Sequence, residues 1–168
     1  MADYKRYGKL DTLEAILAYN GGRFTPEMLR SILGVRRAIQ VDIAQLVATR
    51  RSEEDLETLR GLYQKIEESD DPVTLSELIF EFEHACSVMS GNMIYPLINY
   101  AFRASYTPLM LITCKQPFRD ERIRWVRKLL GFIEQKRPEE AVRCIEDGNI
   151  WCMEAIGQSY SPEERYFT

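Results

Sequence analysis

The chain has 168 residues, 45% of them hydrophobic, with 22 Lys and Arg against 26 Asp and Glu, a net charge of -4 and a pI of 5.2. That length supports one domain with a core that needs no metal or disulfide staple. The acidic balance excludes a chain that binds nucleic acid by its own surface, because phosphate contacts need clustered basic side chains.

Cys86, Cys114, Cys144 and Cys152 show no CxxC spacing and read as small buried hydrophobes in a reducing compartment. Nothing at the N-terminus resembles a secretory signal, and no apolar run approaches the roughly 18 to 20 residues of a membrane span. The expectation is a cytoplasmic protein with no membrane partner.

In chain order, residues 1–10 (MADYKRYGKL) are polar and basic and read as a linker, so the folded domain is expected over residues 11–168. A short helix from Asp11 or Thr12 to Ala18 ends at Asn20-Gly21-Gly22. Thr25-Pro26 is an N-cap followed by proline at the first helical position, and it opens a long helix to about Ala48. The apolar set of that helix, including Ile32, Leu33, Val35, Ile39, Ile43, Leu46 and Val47, is wide enough for a central position. Arg36 falls inside the set, where an arginine is costly unless something anionic meets it.

Ser52 with Asp55 caps a helix to about Glu68, and Ser69-Asp70-Asp71-Pro72 is a turn. Thr74 with Glu77 reads as a capping box opening the next helix, which Ser90-Gly91-Asn92 ends. The following helix is expected to run to about Thr113, kinked at Pro108, with Ile94, Leu97, Ile98, Ala101, Phe102 and Ser105 on one face. Helices from about Arg119 to Glu134 and from Pro138 to about Ile156 complete the chain, the last expected to bend or break at Asp147-Gly148-Asn149. There is no strand candidate and no repeat. The fold expected is all-α, an antiparallel bundle of about seven helices.

The stretch from Leu78 to Tyr106 carries polar groups that an apolar core would not choose: Glu83, His84, Asn99, Arg103 and Tyr106. They either face water or line a cavity. With one histidine in the chain, no nucleophile paired with a base at readable spacing and no metal cluster, an enzyme is disfavoured.

Three segments, MSGNMIYPLINYAFRASYT, LGVRRAIQ around Arg36 and DYKRYGKLDTLEAIL, resemble the FadR-type ligand-binding (FCD) domain of GntR-family bacterial transcription regulators. The resemblance covers almost the whole chain. It implies an effector-sensing domain whose winged-helix DNA-binding half precedes residues 1–10, with DNA contacted only through that half, and a homodimer. Many members hold a divalent metal with an Asp, a His four residues later and two further His. The resemblance places those four positions at Ile79, Glu83, near Arg127 and near Asn149, and His84 is one position out of register. It therefore favours the branch without metal or other cofactor.

In that branch Glu83 and Arg127 are expected to pair across the helices and Arg36 to bind the effector anion, a task suited to the planar guanidinium fork. Tyr106 matches a pocket tyrosine of the acyl-CoA-binding members, so a fatty acyl-CoA or another anionic metabolite is the expected effector, with Phe82 among the pocket residues. Each role has a plainer counterpart. Arg36 is equally readable as a structural pair, Glu83 as a solvated carboxylate and Tyr106 as core. Trp125 and Trp151 read as packing anchors and the basic run Arg119 to Arg127 as a solvated face. The alternative function is a helical interaction module without ligand, marked by a solid core in which Arg36 is paired internally.

Overall fold

The computed structural model describes residues 24–159. Among them are seven helices: α1 (Pro26–Arg50), α2 (Glu53–Glu68), α3 (Pro72–Met89), α4 (Tyr95–Ala101), α5 (Arg103–Cys114), α6 (Arg119–Glu134) and α7 (Pro138–Ser159). No strand occurs among the described residues, so the all-α bundle is borne out. The expected linker at residues 1–10 and the short helix at 11–18 lie outside the described residues. The total of seven arises differently from the expectation, because the helix anticipated between Asn92 and Thr113 is two helices.

Helix α1 starts where the sequence indicates, with the Thr25 side chain accepting from the Met28 N–H and Pro26 in the first turn. It packs most extensively on α7 and also meets α3 and α6. Its buried arc comprises Ile32, Leu33, Arg36, Ile43, Ala44, Val47 and Ala48. Val35 falls beyond one edge of this arc and is exposed, whereas Ala44 and Ala48 extend the other edge, where small side chains admit α7 closely. Each large aliphatic side chain buried this way contributes about 1.5–3 kcal/mol.

The capping box expected at Thr74 and Glu77 is replaced by an earlier start. Pro72 pre-sets the first turn, Asp71 becomes the N-cap, and its carboxylate accepts from the Thr74 N–H (2.8 Å) and hydroxyl (2.7 Å). The break at Ser90-Gly91-Asn92 is present. Gly91 takes φ 76°, the left-handed backbone that glycine adopts without steric cost, and the Asn92 side chain accepts from the Ile94 N–H.

The next stretch divides at Phe102, which separates α4 from α5, while Pro108 lies within α5. Because the helix restarts, the expected single apolar face does not persist. Ile94, Leu97 and Ala101 are exposed, and Asn99, Phe102, Ser105 and Tyr106 turn inward.

Helix α6 ends with Lys136 at φ 53°, the Lys136 N–H on the Ile133 carbonyl and the Arg137 N–H on the Phe132 carbonyl. This is a Schellman closure with lysine where glycine is favoured. Buried Arg51, between α1 and α2, also serves that helix end by donating to the carbonyls of Ile133 and Glu134. Helix α7 is continuous through Asp147-Gly148-Asn149, so the interruption considered there does not occur. Gly148 is there for packing: a methyl group in its place would sit 2.6 Å from Trp125 Cε2 and closer still to Nε1.

Candidate functional site

The centre of the bundle holds charge. Arg36 of α1, Glu83 of α3 and Arg122 of α6 are 4%, 7% and 1% exposed. Arg36 Nη2 donates to Glu83 Oε2 at 2.5 Å, and Arg122 Nη2 donates to Glu83 Oε1 at 3.4 Å, so each oxygen of one carboxylate faces a different guanidinium. Arg36 Nη1 also donates to Asn99 Oδ1 at 3.2 Å, and its Cζ lies 3.2 Å from the centroid of the Tyr106 ring. The Tyr106 hydroxyl accepts from Arg122 Nη2 at 3.4 Å, and Cys152 Sγ accepts from Arg122 Nη1 at 3.2 Å.

Protonation fixes the balance of charge. Burial pushes the Tyr106 phenol up from its ordinary value, Glu83 adds to this, and the two guanidiniums oppose it. Burial likewise pushes up the Cys152 thiol against the opposing Arg122. Both groups therefore stay neutral near pH 7, leaving two guanidiniums and one carboxylate. Among the described residues this buried group carries one positive charge in excess, and neither Arg36 Nε nor Arg122 Nε has a hydrogen-bond partner.

Arg36, Phe82, Glu83, Asn99, Phe102 and Trp125 line a cavity of about 30 Å³ whose other walls are mainly aliphatic. That is room for a water or a small ion and far below the roughly 300 Å³ or more of a pocket for a drug-sized ligand.

Of the residues singled out in the sequence, Arg36, Phe82, Glu83 and Tyr106 meet here. Arg127 does not. It is exposed on α6 and lines a surface groove between α6 and α7, so the ion pair expected between Glu83 and Arg127 is formed instead by Glu83 with Arg36 and Arg122. Asn149 is buried beside the cavity, its amide donating to the Ile145 carbonyl and to Gln40, which itself lines the cavity.

Arg122 was missed because the run Arg119 to Arg127 reads as one solvated face. The signal was present in its spacing to Trp125, Val126 and Leu129, which share its buried stripe on α6. His84 is half-buried between the rings of Phe80 and Tyr100, and its buried Nδ1 has no hydrogen-bond partner among the described residues.

Residues 31–147 match the family described as the FCD domain. The chain belongs to the FCD domain family. Two curated relatives, the HTH-type transcriptional regulator Mce2R of Mycobacterium tuberculosis and an uncharacterised HTH-type transcriptional regulator of Mycobacterium bovis, are each 27% identical over 146 residues. These alignments take in 86% of this chain, which spans 60% of the length of either relative. A Streptococcus agalactiae GntR structure superposes with a TM-score of 0.64 at 20% identity, covering 75% of this chain and 58% of that one, and it supports the fold alone.

The metal held by many FCD domains does not suit this donor set. Ile79, where the resemblance puts the family's Asp, is an apolar core residue, and Glu83 is engaged by two guanidiniums that would repel a cation. Among the described residues, no three His, Cys, Asp or Glu side chains are grouped to hold a metal ion. Arg36 and Arg122 instead tie α1 and α6 to α3 through Glu83.

Proposed function

We propose that this FCD domain senses a small anionic metabolite at the centre of its bundle and passes the occupancy to a DNA-binding domain of the same regulator. One observation carries the reading: two buried guanidiniums share a single carboxylate, and among the described residues each retains an Nε–H without a partner. An anion entering beside them neutralises the excess charge and supplies acceptors for both, whereas leaving charge buried and unpaired is costly. A lining that is apolar apart from Arg36, Gln40, Glu83 and Asn99 suits a ligand with one anionic head and an apolar body. The acyl portion of a fatty acyl-CoA fits that description only if the helices part, given about 30 Å³ of free space.

The mechanism is a population shift, in which ligand stabilises an opened arrangement of the helices carrying Arg36, Glu83, Asn99 and Arg122. That the curated relatives are HTH-type regulators longer than this chain supports placing DNA recognition outside the bundle, with residues 1–10 as the connection. A homodimer belongs to the same reading, since helix-turn-helix proteins read paired half-sites as two-fold dimers. A second reading, a bundle that binds no ligand, is favoured by the internal pairing of Arg36 and the small cavity.

A thermal-shift screen of free carboxylic acids, acyl-CoAs and uncharged analogues separates the two. A true effector at about 100 times its Kd adds ~2.7 kcal/mol of stability and raises the midpoint by several degrees. Arg36→Ala abolishes that rise. No shift with any anion in the screen supports the ligand-free module.

A further inference from the structure

The longest uncharged stretch of the chain runs from Ala85 to Phe102, in a protein of which 29% of residues are charged. It covers the end of α3, the break at Gly91 and the whole of α4. Such a stretch is expected to be buried, yet Val88, Met93, Ile94, Leu97 and Tyr100 are 57%, 81%, 50%, 65% and 60% exposed. They surround one corner of the bundle. Tyr100 lies edge-on to His84 of α3 with ring centroids 6.1 Å apart, Val88 is one turn beyond His84, and Leu97 is about one turn before Tyr100. Met93 and Ile94 belong to the connection between the two helices. We propose that this corner is where a second copy of the chain docks, which gives a surface to the homodimer of the reading above and rests on it.

Two observations select a copy of this chain as the occupant. The first is charge. In a two-fold contact the same patch meets itself, so every charged group near the axis faces its own like. A face without charge avoids that repulsion, and it offers an acidic or basic partner nothing to pair with. Arg103, whose Cζ is 5.9 Å from the centroid of the Tyr100 ring, stands just past the end of the stretch, as charge does at the polar rim of an interface. The second is area. With about 150–200 Å² on a large side chain, five at these exposures present roughly 500–600 Å². A stable interface buries about 800 Å² per partner, and the polar rim supplies the remainder. Single exposed apolar residues need no partner, whereas a contiguous patch of this extent marks a contact surface. The other side of α4 carries Ile98 and Asn99 on the inner cavity, so the wall of the candidate site and the docking face belong to one helix of seven residues.

Sedimentation equilibrium of the full 168-residue chain, without added ligand, tests this. The expected result is a dimer at micromolar concentration. Leu97→Glu places an unpaired carboxylate in the contact twice per dimer and raises the dimer dissociation constant about a hundredfold or more, while circular dichroism still shows a helical bundle. Met93→Glu, at the most exposed of the five, also dissociates the dimer and serves if the first variant does not fold. Ile150→Glu, at an apolar side chain of α7 that is 60% exposed, leaves the constant within about twofold.

The proposal is overturned if the chain is a monomer at these concentrations, which leaves the face to another domain of the regulator. It is also overturned if the folded Leu97 and Met93 variants dimerise as tightly as the parent, or if Ile150→Glu is the variant that dissociates. The last two results keep the homodimer and move its surface. None of the three bears on anion sensing, which the thermal-shift screen decides.

Discussion

The Arg36 guanidinium stacks on the Tyr106 ring, its Cζ 3.2 Å from the ring centroid, while its Nη2 donates to Glu83 and its Nη1 to Asn99. Three helices besides its own therefore position one cation, each through a different kind of contact. Arg122 reaches the same carboxylate from a further helix, so removing Glu83 leaves two buried cations facing each other. Glu83→Ala is expected to cost about 3–5 kcal/mol, the usual consequence of stripping one partner from a buried pair. Urea unfolding of the variant measures this, and a loss below ~1 kcal/mol would show that solvent reaches the centre.

Asn99→Leu tests the neutral contact on Arg36. It removes the acceptor of Arg36 Nη1 and leaves a second buried N–H of that guanidinium without a partner, beside the already unpartnered Nε. The expected loss is about 1–3 kcal/mol in the same unfolding measurement.

The packing of Trp125 on Gly148 gives an independent prediction about α7. Alanine is the better helix former by about 1 kcal/mol, yet its methyl group would overlap the indole. Gly148→Ala is therefore expected to lower stability, by about 1–3 kcal/mol, and to change tryptophan fluorescence as the ring moves. An increase in stability would refute the close approach.

Lys136 offers the opposite sign. It holds φ 53° at the end of α6, a conformation that costs a side-chain-bearing residue and not glycine. Lys136→Gly is expected to raise stability by about 0.5–1 kcal/mol, measured as a higher denaturation midpoint, because the position is exposed and the substitution leaves the two closing hydrogen bonds intact.

Asp71 supplies a pH dependence. The Thr74 backbone N–H, and then the Thr74 side chain, hold its carboxyl below the ordinary value. A carboxyl with a depressed folded-state pKa stabilises fully above its unfolded pKa of about 3.9 and loses the contribution as pH falls through the folded value. The midpoint difference between the protein and Asp71→Ala should thus be full at neutral pH and shrink at pH values below about 4. A difference that persists unchanged at acid pH would contradict this role for the charged cap.

Periodicity and caps made most of the fold legible. The boundaries of α1, α2 and α6, the break at Gly91 and the inward turn of Arg36 all follow from local chemistry visible in the chain. What failed was non-local. The division at Phe102 shifts the phase of everything between Ile94 and Tyr106, and no residue there announces it. Gly148 reads as a weak point because its reason is a tryptophan on another helix. Arg127 was preferred to Arg122 as the partner of Glu83 because alignment to the family's metal positions guided the choice, whereas the buried stripe of α6 selects Arg122. Spacing located one arginine of the central pair and, read with the same rule on α6, locates the other.

The central claim, that a buried excess of positive charge waits for an anion, is tested most directly by titration calorimetry. The measurement compares the tightest carboxylate from the thermal-shift screen on the protein and on Arg36→Met. Loss of a hydrogen bond to a charged group, worth about 1.5–3 kcal/mol, predicts affinity weakened by tenfold or more in the variant and no binding of the matching uncharged amide. Equal affinity for the variant, or for the amide, would contradict the account.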